Sequence, residues 1–430
     1  MTLATPIGAG IGLLLFLSAT LVSGHAQSPT DRAAIESAPP AKPREWRAVA
    51  NITVSESFDS NVFLQDTTSL AHRQSFVTSV SPLVGAEWTP GPELLVAASY
   101  SPEIVRYHAE PTENHNDHRG NLNFVGRLGD ASYEVLNSVT WIDGSKTGPT
   151  FTGPTGTLGA PSIGGFPIRD RRAAVNLKES FKLQYPIGNW FIRPVSAWYM
   201  NDYKTVQSSA AGYLNYADRD DMNGGLDIGY KVIEKTWLVV GYRYGHQDQD
   251  AYLGNPLEYS NDYQRFLFGA EGSPLRWLKF SLLAGPELHR FGPNVAAGFR
   301  RDQDQLFVDF AATLMLGKAD TVKLSANRYT RPGYTGRSEL SECLCEATWN
   351  HKFDDAWSGS LGFTSYLADY APVARNDGIY TPTVGLTYQF NNHLSAELRY
   401  SFDGTVSEVP ATEGREYTRH LTRLGVRYVF

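Results

Sequence analysis

The amino-acid sequence predicts an all-β chain, a transmembrane antiparallel up-and-down β-barrel of about eighteen strands, or sixteen if one hairpin is misread. Three observations carry this prediction. Segments of about ten residues alternate apolar and polar side chains, which gives an extended strand one apolar and one polar face. Short turns rich in Gly, Pro, Asn and Asp alternate with longer polar loops. The chain also ends on an amphipathic strand, Leu424-Gly425-Val426-Arg427-Tyr428-Val429-Phe430, and stops on an aromatic, whereas termini are usually frayed and polar.

The first element is a secretory signal, residues 1–26. Ile7 to Val22 is almost wholly apolar yet short for a spanning helix, and Gly24-His25-Ala26 offers small residues for cleavage. No Lys or Arg precedes the apolar run, so the amino terminus alone supplies the leading charge. Residues 27–45, with Pro39, Pro40 and Pro43, read as a disordered periplasmic lead-in, too short to fold as a plug domain. The barrel is expected over 46–430. Beyond the signal there is no apolar stretch long enough for a helical span. Aromatic residues make up 12% of the chain and charged residues 19%, a balance that suits strands with one face in lipid and the other in water. The mean hydropathy of -0.31 does not conflict with this, because alternation averages hydrophobicity away. A net charge of -7 argues against nucleic acid, and 2 Cys exclude a disulfide framework.

From Trp46 onward the punctuation sets the strand order. Tight turns are predicted at 89–92, 128–130, 186–189, 233–236, 272–275, 317–320, 353–356 and 391–393. Longer polar connections fall near 57–74, 108–117, 143–168, 205–218, 250–261, 292–301, 333–338, 371–376 and 405–418. Their strict alternation implies an even strand count and puts both termini at the short-turn end. Within strands, Tyr380, Val384, Leu386, Tyr388 and Phe390 share one face, opposite Thr381, Thr383, Gly385, Thr387 and Gln389. Leu394, Ala396, Leu398, Tyr400 and Phe402 repeat the pattern, as do Leu306, Val308, Phe310, Ala312 and Leu314. Trp88, Trp190, Trp237, Trp277 and Trp357 adjoin tight turns and are expected to form an interfacial aromatic girdle.

Alternation also nominates the residues that line the lumen: Arg127, Lys178, Lys182, Lys231, Arg243, Arg265, Lys279, Lys323, Arg399, Arg423 and Arg427. Asp227, Glu271, Glu287, Asp309 and Glu397 share that face, and the remaining acid, including Asp59, Asp66, Glu110, Glu113, Asp117, Asp248 and Asp250, is expected in loops. A basic lumen would favour anions, whereas pairing across neighbouring strands would leave a neutral wall. The longest loop, Gly144 to Ile168, either folds inward or stays on the surface. Its glycines make no phosphate cradle, since no Gly-Lys-Ser/Thr follows and no strand-to-helix context exists.

Catalysis is not expected, since no nucleophile elbow or His-rich motif is present. His108, His115 and His118, near Glu113 and Asp117, read as a hydrated loop before a metal site, and Asp218-Arg219-Asp220-Asp221 lacks calcium-loop spacing. No cofactor is expected. Cys343 and Cys345 fall on one strand face with Ala347 and Trp349, poorly placed for an unstrained disulfide.

The terminal strand, with Leu424, Val426, Tyr428 and Phe430 on one face, resembles the C-terminal signature by which bacterial outer-membrane proteins are recognised for assembly. Ser57-Phe58-Asp59-Ser60-Asn61-Val62-Phe63 resembles the Asp-x-Asn-Val/Ile-aromatic stretch near the start of the β-barrel porin 2 family. These resemblances imply an integral protein of a Gram-negative outer membrane, termini in the periplasm, with membrane lipid and the barrel assembly machinery as partners. They imply no catalytic residues. The expected function is passive diffusion of small hydrophilic, anionic solutes. The alternatives are export of an exopolysaccharide together with export components, and a non-conducting structural or adhesive barrel. A homo-oligomer is compatible with each.

Overall fold

The computed structural model describes residues 45–64, 66, 71–91, 93–143, 173–204, 217–251, 256–333, 338–372, 375–408 and 416–430. The signal segment, the lead-in before Glu45 and the Gly144–Ile168 loop lie outside these residues. The strands of the first half are β1 (Glu45–Asp59), β2 (Ser75–Gly91), β3 (Leu94–Tyr107), β4 (His115–Leu128), β5 (Ala131–Ile142), β6 (Ala174–Ile187), β7 (Trp190–Tyr203), β8 (Arg219–Ile233) and β9 (Thr236–Gln249). Those of the second half are β10 (Asn261–Leu275), β11 (Leu278–Phe291), β12 (Asp302–Leu316), β13 (Asp320–Pro332), β14 (Glu339–Lys352), β15 (Trp357–Ala371), β16 (Arg375–Gln389), β17 (Leu394–Glu408) and β18 (Tyr417–Val429).

Each strand pairs antiparallel with its sequence neighbours in one 18-stranded sheet. β18 pairs back onto β1, from Asn51↔Val429 to Asp59↔Leu421, so the sheet closes into a barrel. Closure leaves no edge strand, and this satisfies backbone polar groups where no water can. Short turns gather at one end and long connections at the other, as the turn spacing predicts. One turn is displaced. β10 runs through Gly272–Leu275 with a register shift, and the hairpin closes at Arg276-Trp277. Gly272 has φ +139, and a Cβ there would lie 2.0 Å from the Lys235 carbonyl oxygen, so the Gly-Ser-Pro run makes a bulge instead of a turn.

The outer face carries the apolar side chains. Val384, Leu386, Leu398, Leu424 and Val426 are exposed on it, as a lipid-facing band requires. Near the short turns Trp46 stacks on Trp88 at 5.4 Å, Trp190 meets Tyr230 at 4.6 Å, and Trp357 meets Tyr388 at 4.6 Å. Trp237 departs from the expected girdle. It pairs in register with Lys231 and Glu271 and packs inward against Phe191, because the second residue of β9 takes its facing from the register and not from its chemistry. Cys343 and Cys345 lie on the outer side of β14 with free thiols, Sγ atoms 4.0 Å apart.

The inside is partly filled. Phe191, Val239, Leu267 and Leu283 form one apolar cluster on the inner wall of β7 to β11. Leu340, Leu344, Tyr366, Ala368, Ile379 and Tyr417 form a second toward the long-loop end, and Leu64 and Tyr203 pack against it from elsewhere on the ring. Tyr263 lies across Gly245, where a Cβ would sit 2.3 Å from its ring, so glycine makes room for an inward aromatic.

The register generates a test. Val384→Arg places a charge on the lipid face of β16 and is expected to cost about 2–4 kcal/mol, whereas Thr383→Arg, its inward neighbour, is expected to be near neutral. Denaturant unfolding in lipid checks this, and a larger cost at Thr383 would contradict the assigned faces.

Candidate functional site

The candidate site is the inner wall. Arg127 on β4, Lys178 and Lys182 on β6, Lys231 on β8, Arg243 on β9 and Arg265 on β10 fall on the face opposite the apolar band. So do Lys279 on β11, Lys323 on β13, Arg399 on β17, and Arg423 and Arg427 on β18. The structure does not bring them into one cluster. It divides them into a set buried in the wall with its carboxylates and a set nearer the short turns.

The paired set centres on guanidiniums buried in the wall. Arg193 on β7 donates from Nε to Asp227 at 2.9 Å and from both terminal nitrogens to Glu271 at 2.6 and 2.9 Å. Arg243 meets the other Asp227 oxygen at 2.7 Å. This network ties together β7, β8, β9 and β10. Arg265 pairs with Glu287, which also takes His289, and its guanidinium lies 4.3 Å from the ring centroids of both Tyr263 and Phe307. Lys182 approaches Glu134 at 3.8 Å. Pairing across strands is therefore real for this part of the wall, and charges this buried persist only when so matched.

The second set lies toward the short turns. Arg399 and Arg423 are direct cross-strand partners, and one register step away Glu397 faces Gly425. Glu397 reaches Arg399 at 3.4 Å along its own strand. Thr321, Asn350, Ser358, Ser360 and Thr387 line a cavity of about 300 Å³ beside this pair. Its surface is hydroxyl, amide and charge, the lining of a wetted vestibule.

At the other end the β13–β14 hairpin leans into the barrel. β13 pairs with β12 only as far as Arg328↔Val308, yet stays paired with β14 to Pro332↔Glu339. Side chains from β8 and β9 hold the diverging segment by its backbone. Arg219 donates to the Pro332 carbonyl at 2.8 Å, Gln247 to the Thr330 carbonyl at 3.0 Å, and Gln249 to the Gly333 carbonyl. The Thr330 amide donates to Glu287 from the inner side. Pro332, Gly333, Ser338 and Glu339, at the end of a hairpin, are all buried.

Several functional residues escape the alternation analysis. Arg193 is hidden because β7 is apolar on both faces, with Phe191 and Val195 inward and Ile192 and Trp198 outward. Arg219, Arg331, Arg375 and Arg419 sit at the long-loop ends of their strands, where boundaries are hard to read. Asp59 and Asp117, expected in loops, belong to β1 and β4 and face inward. Asp59 accepts two bonds from Arg419 at 3.1 and 3.0 Å. Its backbone follows through Asn61, which donates to the Thr418 carbonyl at 2.9 Å, so the Ser57–Phe63 motif seals the β1–β18 seam. The three loop histidines are not brought together. His115 is buried and bonds the Glu113 carbonyl, His118 stacks on Tyr100, and His108 approaches Glu56. Among the described residues no group of three or more His, Cys, Asp or Glu side chains is placed to hold a metal.

A closed barrel with an apolar outside and a charged, partly hydrated inside is a porin-like, integral outer-membrane protein by architecture. Residues 322–430 match the family described as Putative beta-barrel porin 2, which bears out the resemblance drawn from Ser57–Phe63. Among solved structures, the outer membrane protein OpdK of Pseudomonas aeruginosa is similar at 11% identity and TM-score 0.42, covering 89% of this chain and 98% of that one. OccAB3 of Acinetobacter baumannii is similar at 10% and 0.43, covering 89% and 99%. A BenF-like porin of Pseudomonas fluorescens Pf-5 gives 11% and 0.43, with 89% and 99% covered. Identity of this order carries no residue role across. No curated protein sequence matches the chain.

Two predictions follow from the wall. Arg193→Ala leaves Glu271 unmatched and is expected to cost about 3–5 kcal/mol, part of which Arg193→Ala with Glu271→Gln restores. Unfolding in lipid measures both. At the long-loop rim, burial pushes the Asp218 carboxyl up from 3.8 to about 6, against a hydrogen bond from the Tyr203 amide, and Asp202 and Asp250 add to the rise. A raised carboxyl favours the fold when protonated, so this contribution is full below about pH 3.8 and is lost as pH rises to about 6. Asp218→Asn keeps the acceptor and is expected to stabilise the protein at pH 8 but not at pH 4, as read from melting at both values.

Proposed function

We propose that the protein is an outer-membrane channel for passive diffusion of small hydrophilic solutes, with a preference for anions. The observation that carries this reading is the Arg399↔Arg423 pair on the inner wall. Like charges directly opposite each other weaken a sheet, and apolar or neutral residues there would serve stability better. With Arg427, Lys323 and Lys279 on the same wall, they bring five basic residues toward the short-turn end, alongside Glu397. Such a ring concentrates anions at the entrance of a low-dielectric passage. The hydroxyl-lined vestibule beside it supplies hydrogen bonds to a hydrated solute. In this reading the short-turn end faces the periplasm, and the outward row Leu424, Val426, Tyr428 and Phe430 is presented to the assembly machinery before insertion.

The long-loop end is narrowed from two sides, by the β13–β14 hairpin and by the cluster around Leu340, Tyr366 and Tyr417. Small conductance steps are therefore expected. The test is single-channel recording of refolded protein in a planar bilayer under a salt gradient. Anion-selective steps that lose selectivity in Arg423→Ala are expected. Cation selectivity would overturn the role given to the arginines. Silence from a folded, heat-modifiable barrel would favour export of a polymer or a structural role, and loss of secreted polysaccharide on deletion would separate those two.

A further inference from the structure

The bonds from Arg219, Gln247 and Gln249 to the β13–β14 hairpin cross the interior from β8 and β9, so they divide the long-loop end of the barrel into two lobes. The smaller lobe is walled by β10, β11 and β12. It is filled. Tyr259, Phe291 and Phe299 meet edge to face with ring centroids 5.1 to 6.3 Å apart, His289 stacks on Phe291, and Tyr263 is buried beside them. The larger lobe is packed along one side. There the buried Leu340, Leu344, Tyr366, Ile379 and Tyr417 stand on the inner faces of β14, β15, β16 and β18 and receive Leu64 and Tyr203. The inner face of β2 to β6 is different. Ser99, Ser101, Asn121, Ser138, Thr140 and Asn176 stand on it, and each keeps part of its surface exposed.

These side chains form rows across the strands. Ser99 faces Asn121, and Asn121 faces Ser138. One step toward the long loops, Thr140 pairs with Asn176. Asn121 donates to the Ser99 hydroxyl at 3.3 Å, and Asn201 to the Asn176 side-chain oxygen at 2.6 Å. The band continues onto β2 and β1 as Ser81 opposite Thr53. Arg119 and Lys178 interrupt it, and Glu103 and Asp117 bound it toward the long loops.

We infer that the solute path runs off-centre along the inner face of β2 to β6, and that this band selects polyhydroxylated solutes of the saccharide class. The inference rests on the channel reading and deepens it by naming the solute and the wall it follows. Hydroxyl and amide groups both donate and accept, as sugar hydroxyls do, whereas a guanidinium only donates and a carboxylate only accepts. Adjacent strands lie about 4.8 Å apart, so each row offers a bonding group at every strand. A sugar hydroxyl that leaves water there exchanges one bond for another, directly or through a bridging water. An ether oxygen cannot donate, so it leaves the acceptors of the wall unmatched. The arginines at the short-turn end act on charge, and the band acts on hydroxyls.

Two experiments on the folded, full-length barrel test selectivity and path separately. Liposome swelling, corrected for protein-free liposomes, compares entry of glucose with entry of tetraethylene glycol, a chain of similar mass with ether oxygens in place of most hydroxyls. Glucose is expected to enter at least threefold faster, and Asn121→Leu combined with Ser138→Val is expected to bring the two rates to parity. A ratio of rates does not depend on how much folded protein inserts. In planar bilayers, in a Cys343→Ala, Cys345→Ala background, a water-soluble methanethiosulfonate is applied to single-cysteine variants. It is expected to cut the current by at least half in Ser138→Cys and by less than a tenth in Gln305→Cys, which lies on β12 in the filled lobe. Equal entry of the two solutes in the unaltered protein, or an unchanged ratio in the double variant, would overturn the selectivity. A reduction at Gln305→Cys as large as that at Ser138→Cys would overturn the path. A barrel that conducts salt yet fails these tests loses only this inference, whereas a folded barrel with neither current nor swelling overturns the channel reading and the path with it.

Discussion

Everything in this molecule depends on the first strand finding the last. An up-and-down sheet left open exposes two rows of backbone donors and acceptors, and in a hydrocarbon environment each such group costs several kcal/mol. β1 and β18 stand at opposite ends of the chain, so no hairpin turn brings them together. Side chains fix their meeting. Asp59 takes the Arg419 guanidinium through two bonds, and Asp403 on β17 takes it from the other side at 3.5 Å. Asn61 caps Asp59 through its own amide at 3.0 Å and reaches the Thr418 carbonyl. The short family-like motif and the C-terminal region that matches the family are thus two halves of one seam. The chemistry that marks the sequence is the chemistry of closure.

With the wall closed, its interior divides by how its charge is handled. Around β7 to β11 the arginines are buried and matched, and they act as cross-strand fastenings between apolar patches. Around β17 and β18 Arg399 stands directly opposite Arg423, with Glu397 alongside. Stability alone accounts for the first arrangement and opposes the second. Where a chain retains an interaction that weakens its own sheet, the compensating gain is sought in what the wall faces.

The strand count and the alternation of short and long connections were legible in the sequence, because each depends on a period of two and on turn chemistry. What could not be read falls into two physical kinds. Where both faces of a strand are apolar, as around Arg193, the period disappears and register alone decides which side is inner. Trp237 shows the same limit from the other direction, since an aromatic near a turn belongs to the girdle only if its parity points outward. The second kind is contact across the barrel. Gln247 and Thr330 are 83 residues apart, and nothing local to either announces that one will bond the other. The Gly272–Leu275 bulge is a smaller case, in which turn-forming residues served a kink inside a strand.

The hairpin joins these themes. When β13 leaves β12 after Arg328, it gives up ladder bonds that a continuous wall would have kept. The requirement that buried backbone groups be paired does not lapse with it. Arg219, Gln247 and Gln249 meet that requirement by donating to three carbonyls of the departing segment, and Glu287 meets it by accepting from the Thr330 amide. A ladder is cooperative and releases as a unit, whereas side-chain bonds to a single hairpin can be exchanged for bonds to water without disturbing the neighbouring strands. The inward position of the hairpin is therefore held by side-chain bonds in place of a ladder to β12. These bonds join β8 and β9 to the departing segment across the interior, so side chains and not the ladder decide where the hairpin sits.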